Sequence, residues 1–271
     1  MHLPVSCKGA SISVAPFAFW VLLLLLPAPH SEAAACPARE AGERVKVVYV
    51  YDGDTLKLSD GRRVRLIGIN TPELRHDQPG KQPFAAEAKA ALQALTDRNN
   101  RTLLLQYGEE HRDHYGRLLA HAFLENGDNV AVHLLQAGLA TALVVPPNTW
   151  AQDCYRQQEN AARIERRGIW GHPRYQVQDS RSLPASTRGF SLVHGRVLRV
   201  RKSGGYTWIE LEGPLTIQVP AANTGYFPAG QLEHLAGQVV EVRGWVRSVN
   251  DGLRLTVRHP AAMTTISDQV P

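Results

Sequence analysis

Long apolar runs are almost missing from this chain. The longest, over 15–26, contains five consecutive leucines, Leu22 to Leu26, and is stopped by Pro27 and Pro29. A membrane span needs ~20 consecutive apolar residues, so this run is too short to read as one. It follows a single charged residue, Lys8, and precedes Ala33-Ala34-Ala35. Charge, apolar core and small-residue cleavage site in that order are the pattern of a secretory signal peptide over 1–35, and so of a secreted or periplasmic protein. An uncleaved anchor and a lipid-modified Cys36 are the competing readings; Ala33 stands where a lipidation site has leucine.

Cysteine is also scarce, with three in 271 residues. Past the leader only Cys36 and Cys154 remain. An even count in an exported chain points to a disulfide between them, with two separate thiols as the alternative. Lysine is scarce too: beyond Lys8 there are only Lys46, Lys57, Lys81, Lys89 and Lys202, so most of the 30 basic residues are arginine. Against 25 acidic residues they leave a formal charge of +5. That balance suits a polyanionic partner without requiring one. Arginine suits phosphate contacts, but its dominance also follows from GC-rich codon usage.

About 236 residues follow the leader, enough for one large or two small domains. Composition changes over 176–189, a polar, turn-rich and aperiodic stretch that reads as a linker. Before it, a first domain over 36–175 has short β-branched runs at 46–51, 55–58 and 62–67, separated by Asp52-Gly53 and Asp60-Gly61, which are hairpin signals. Helical spacing follows at 82–95, strands at 102–107 and 117–124, and a short helix at 129–136. Asn148 is expected to cap a long helix reaching 167, with Gly168 as its stop. This order is compatible with a five-stranded Greek-key barrel, the OB-fold. After the linker, 190–266 has strand-like runs at 193–200, 207–211, 215–219, 239–246 and 253–257, with a helix expected near 228–235. That too is OB-like. The fold class expected is therefore mainly β with helices (α+β), a five-stranded OB barrel followed by a second, smaller OB-like barrel.

What is present in abundance is chemistry at strand ends. Val50-Tyr51-Asp52-Gly53-Asp54-Thr55-Leu56 is followed by Val64-Arg65-Leu66-Ile67-Gly68-Ile69-Asn70-Thr71-Pro72-Glu73, and later by Tyr115-Gly116-Arg117. Carboxylates that hold a hard cation and activate water, beside two guanidinium forks, are what cutting a phosphodiester requires. Arg65 lies within an apolar run and is expected to project from the face opposite the core. The competing reading pairs it with Asp60 or another acid. Pro72 cannot continue the sheet, so the chain turns and presents Glu73.

These three motifs, in this order and spacing, resemble the staphylococcal nuclease (thermonuclease) family, and the similarity extends through Pro147-Asn148-Thr149 to Gly168-Ile169-Trp170. It covers roughly half the chain. The resemblance implies the nuclease type of OB-fold and a Ca²⁺-dependent phosphodiesterase acting on DNA and RNA and leaving 3′-phosphate ends. It also implies site roles. Asp54 becomes the main Ca²⁺ ligand, with Asp52 in support, Glu73 the general base, and Arg65 and Arg117 the phosphate and transition-state ligands. Tyr115 lines the nucleotide pocket, while His111 and His114 read as surface groups.

The chain departs from the family pattern twice. Asn70 stands where an aspartate usually serves as a second anionic ligand. Its amide oxygen can still coordinate Ca²⁺, with one charge fewer. The run Leu143-Val144-Val145 is aliphatic where the family often has tyrosines that contact base and phosphate. In the second domain, Arg196, Arg199, Arg201 and Lys202 near Tyr206 and Trp208 suggest a basic face for single strands, or only a solvated strand. Trp208 and Trp245 are read as barrel core. The alternative to a monomeric exported nuclease is a non-catalytic nucleic-acid-binding protein of the cell envelope. A structural envelope protein is a third reading.

Overall fold

The computed structural model describes residues 1–2, 35–74, 82–249 and 252–266. The expected leader, 1–35, lies outside the described residues apart from Met1, His2 and Ala35. No helix among the described residues is long and apolar enough to cross a membrane.

The first barrel is built from β1 (Glu43–Val50), β2 (Thr55–Leu58), β3 (Arg63–Leu66), β5 (Thr102–Arg112) and β6 (Leu118–Phe123), with the two-residue strand β4 (Ile69–Asn70) between β3 and β5. Alternation along these strands turns Val45, Val47, Leu56, Val64, Leu66, Leu103 and Leu105 into one core. β1 pairs with β2 and β5, and β3 runs parallel to β6, which closes the barrel in the order β1-β2-β3-β6-β5. The helices α1 (Ala85–Arg98), α2 (Val130–Gln136) and α3 (Gln152–Ile164) pack outside it. Asn129 caps α2 by accepting the Ala131 N–H at 3.0 Å. Cys36 and Cys154 form a disulfide that ties the chain entering β1 to α3.

The second barrel repeats this strand order. β9 (Gly189–Ser203), β10 (Tyr206–Leu211), β11 (Leu215–Pro220), β12 (Val239–Val249) and β13 (Gly252–Thr256) close as β9-β10-β11-β13-β12, with β11 and β13 parallel. In both barrels the third strand therefore lies beside the fifth and the first beside the fourth. Val193, Ile209, Ile217, Val240, Val242 and Leu255 fill its interior. β14 (Met263–Ile266) extends it beyond β12. The stretch 176–189 connects the barrels and is fastened to the second. Its strand β8 (Gln178–Asp179) pairs with β9, Ser180 Oγ donates to the Glu212 carbonyl at 2.6 Å, and Leu183 enters the second core.

Several sequence expectations are corrected. Asn148 does not cap a helix. Its side chain bonds both backbone groups of Glu110, at 3.0 and 3.1 Å, and pins the loop to β5. α3 begins only at Gln152, after Ala151 in a left-handed conformation. Of the helix expected near 228–235 only a 3₁₀ turn at Glu233–Leu235 forms, after another 3₁₀ turn at Ala221–Tyr226. Trp208 and Trp245 are not core: each shares its strand with inward aliphatic residues, Ile209 and Val246, and alternation turns the indoles outward.

α3 also joins the barrels. Glu159 is fully buried and Arg243, from β12, is 5% exposed. Arg243 Nη1 donates to both carboxylate oxygens of Glu159, at 2.8 and 2.7 Å. Glu159 Oε1 also accepts the Ala142 N–H at 2.9 Å, in the short strand β7 (Thr141–Ala142). One turn on, Arg163 pairs with Glu241 at 3.2 Å.

Removing one partner of a buried pair strands the other charge, so Arg243→Met is expected to cost about 3–5 kcal/mol in urea unfolding. The double variant Glu159→Gln/Arg243→Met is expected to recover most of that loss. Gln still accepts the Ala142 N–H and leaves no charge behind; an equal loss in both variants would contradict this account.

Candidate nuclease site

The turn from β1 to β2 carries the acids. Asp54 is 2% exposed and heavily bonded. Its Oδ2 accepts the Thr71 N–H at 2.9 Å and the Thr71 hydroxyl at 3.0 Å, and lies 3.1 Å from Arg65 Nη2. Its Oδ1 accepts the Thr55 hydroxyl at 3.1 Å. Asp54 thus links the first turn, β3 and the end of β4. Gly53 allows this close packing, because a Cβ there would meet the Ala88 and Thr71 side chains at under 3 Å.

Arg65 leaves β3 on the face opposite Val64 and Leu66, as alternation requires. Its partner is Asp54 rather than Asp60; Asp60 is taken by Arg62 at 2.6 Å. Arg65 also donates to the Leu66 carbonyl.

Asn70 is buried at the end of β4, where its backbone pairs with Thr141 of β7. Glu73 is half-buried, and its N–H donates to Gln82 Oε1 at 3.1 Å.

Arg117 enters from the start of β6. Asp113 holds it, accepting Arg117 Nε at 2.7 Å through Oδ2 and the Arg117 N–H at 2.9 Å through Oδ1. Against the upward push of burial, these bonds keep the Asp113 carboxyl below its usual range. Arg117 Nη1 reaches Thr55 Oγ1 at 3.5 Å, so the two arginines converge from β3 and β6 on the same turn. Its guanidinium also lies 5.4 Å from the ring centre of Tyr115, which is 63% exposed.

Arg65, Asn70, Glu73, Tyr115 and Arg117 line one cleft of about 820 Å³. Leu143 and Val145 supply an aliphatic wall. The second barrel also lines it, through Trp245, Arg247, Thr256 and Arg258.

Burial, then the neighbouring Asp54 and further Glu73, pushes the Asp52 carboxyl up to about 7. Its Oδ1 accepts the Asp54 N–H at 3.1 Å. Carboxylate charge concentrated at Asp52 and Asp54 suits a hard, oxygen-preferring cation, which would relieve that repulsion. Among the described residues no group of three or more His, Cys, Asp or Glu side chains forms a metal cluster. Sequence reasoning missed Thr71 and Asp113, which position Asp54 and Arg117. An aspartate four residues before an arginine across a tight turn was the available signal for Asp113.

Among the described residues, neither histidine at or near the cleft is placed as a general base. His121 lies behind the cleft, with Nδ1 2.8 Å from the Tyr155 hydroxyl. Burial, aided by Arg39, pushes it down to about 3, so it is neutral at neutral pH. His114 lines the cleft but stacks on Tyr115, 3.8 Å between ring centres.

A family model described as "Staphylococcal nuclease homologue" matches residues 63–172. The chain is 37% identical over 134 residues to a thermonuclease of Staphylococcus intermedius, covering 48% of this chain and 77% of that protein. It is 32% identical over 149 residues to a thermonuclease of Staphylococcus hyicus, covering 53% and 84%. To endonuclease YncB of Bacillus subtilis (strain 168) it is 34% identical over 128 residues, covering 46% and 60%. All three similarities span about half of this chain.

The pH dependence of stability tests the burial of His121. Its folded-state pKa lies below the unfolded value of about 6.5. Its contribution is therefore complete above pH ~6.5 and is lost as pH falls towards 3, while the unfolded state takes the proton. Between pH 6 and 4, His121→Gln is expected to lose stability less steeply than the unmodified chain, by up to about 1.4 kcal/mol per pH unit. Parallel slopes in urea titrations would contradict the neutral, buried state.

Proposed function

The chain belongs to the staphylococcal nuclease homologue family, and from that premise we propose that it is an exported, Ca²⁺-dependent endonuclease hydrolysing DNA and RNA to 3′-phosphate ends. The observation that carries this reading is the convergence of Arg65, Glu73 and Arg117 on one cleft, with Asp54 bonded directly to Arg65. The disulfide is in keeping with an oxidising compartment.

Each residue has a role its surroundings support. Asp54, Asn70 and Asp52 would hold Ca²⁺, which when bound supplies a Lewis acid for the phosphate oxygens. Arg65 is held in place by Asp54 before substrate arrives, so its fork can engage a phosphate with little reordering. Glu73 takes the proton of the attacking water. Arg117, fixed at Nε by Asp113, directs its remaining donors to the charge that grows on phosphorus and the departing oxygen. Tyr115 offers a ring at the cleft edge.

Asn70 favours a second reading, a nucleic-acid-binding protein that does not cut, since its amide removes one anionic ligand. Nicking of closed circular DNA separates the two. Cutting is expected with Ca²⁺, none with chelator, and a loss of roughly 10²–10⁴-fold in Glu73→Gln. Retained binding with no cutting at any Ca²⁺ level would support the second reading. Asn70→Asp is expected to tighten Ca²⁺ binding; unchanged affinity in calorimetry would refute the role given to position 70.

A further inference from the structure

The basic run on β9 does not present a free phosphate-binding face. Arg199 and Arg201 both pair with Glu210, at 2.8 and 3.0 Å, and Lys202 pairs with Glu233 at 2.6 Å. Trp208 donates to the Ser203 carbonyl and lies between Arg201 and Arg254.

The β12–β13 face differs. Val240, Val242 and Val246 of β12, and Leu253, Leu255 and Val257 on or next to β13, are buried. Alternation places Trp245, Arg247, Thr256 and Arg258 on the opposite, outer face. All four line the cleft that holds Arg65, Glu73 and Arg117. Arg247 and Arg258 are exposed, and neither has an ion-pair partner among the described residues. Trp245 is 42% exposed, with its ring set edge-on to Phe190 at 5.4 Å. A half-exposed indole between two uncompensated guanidiniums, facing a catalytic cleft, has the composition of a single-strand platform: cations for the backbone and a ring for an unstacked base. The same cleft is lined by aliphatic Leu143 and Val145.

We infer that the β12–β13 face of the second barrel is the second wall of a polynucleotide groove. Arg247 and Arg258 engage backbone phosphates beyond the one being cut, and Trp245 stacks on a base of a single strand. The inference rests on the nuclease reading only for the identity of the strand in the cleft.

The test is equilibrium binding of a fluorescein-labelled 20-nucleotide single-stranded DNA, read by anisotropy at several salt concentrations. The full chain carries Glu73→Gln throughout, so that binding is measured without cutting. Reversing both charges, Arg247→Glu/Arg258→Glu, is expected to weaken binding at least tenfold. It should also flatten the slope of log K against log salt by about 1.4, at ~0.7 per phosphate contact. Trp245→Ala is expected to weaken binding roughly fivefold to a hundredfold, and Trp245→Phe, which keeps a ring, to restore most of it. Unchanged affinity and slope in Arg247→Glu/Arg258→Glu overturns the inference. So does an equal loss on reversing Arg199 and Arg201, which would make overall charge the cause. If the unmodified chain never cuts DNA but the expected losses appear, the groove stands and the nuclease reading falls. If it cuts and the losses are absent, the groove falls alone.

Discussion

The arrangement of this molecule depends on one buried carboxylate. Glu159 sits on α3 with no exposed surface and takes two bonds from Arg243 of the second barrel and one from the backbone of Ala142 in the first. A charge so deep is tolerated only with its acceptor sites filled. That requirement fixes three things together: the rotation of α3, the position of β7, and the placement of β12. Since β7 pairs with β4, the same carboxylate reaches the backbone of Asn70 by one further step. The cleft is bounded on one side by residues set by β4 and on the other by residues carried on β12. Glu159 therefore acts on both walls without touching the cleft.

Asp54 does for the interior of the site what Glu159 does for its frame. Four donors or cations surround its two oxygens, drawn from the adjacent threonine, the end of β4 and β3. Arg117 is anchored in the same manner by Asp113. Each arginine is thus held by a carboxylate of its own, which limits the ordering entropy lost when an anion arrives. Repulsion remains at Asp52, where burial and neighbouring charge favour the protonated form.

Much of this was legible in the sequence because it is local. Alternating Val and Leu, with Asp-Gly punctuation, marked the strands of the first barrel; Asn129 marked the start of α2; the order of the Asp54, Arg65 and Arg117 motifs marked the candidate site. What was not legible depends on partners distant in sequence. Asn148 carries a capping residue's chemistry but spends it on Glu110, which no local rule reveals. The two-residue strands β4 and β7 are too short to show a period. Trp208 and Trp245 read as core, whereas the parity of their neighbours decides the face. Arg199 and Arg201 look like a binding face until Glu210, across the β9–β10 pair, is seen to engage both. Arg247 and Arg258 carry no local signal, since an arginine gains meaning only from its surroundings in the fold.

Because the cleft is shared between barrels, it has an order of assembly. Arg65 and Arg258 lie roughly two hundred residues apart, so the contacts that shape the groove are among the longest-range in the chain. Chains generally fold domain by domain as they emerge, and long-range closure comes late. The disulfide and α3 complete the first barrel from residues before 165, whereas β12 and β13 arrive only after 239. Arg65, Glu73 and Arg117 can thus be in place while one side of the groove is still open to solvent. The finished cleft therefore needs both barrels, and the Arg243–Glu159 pair is one of the contacts that hold them together.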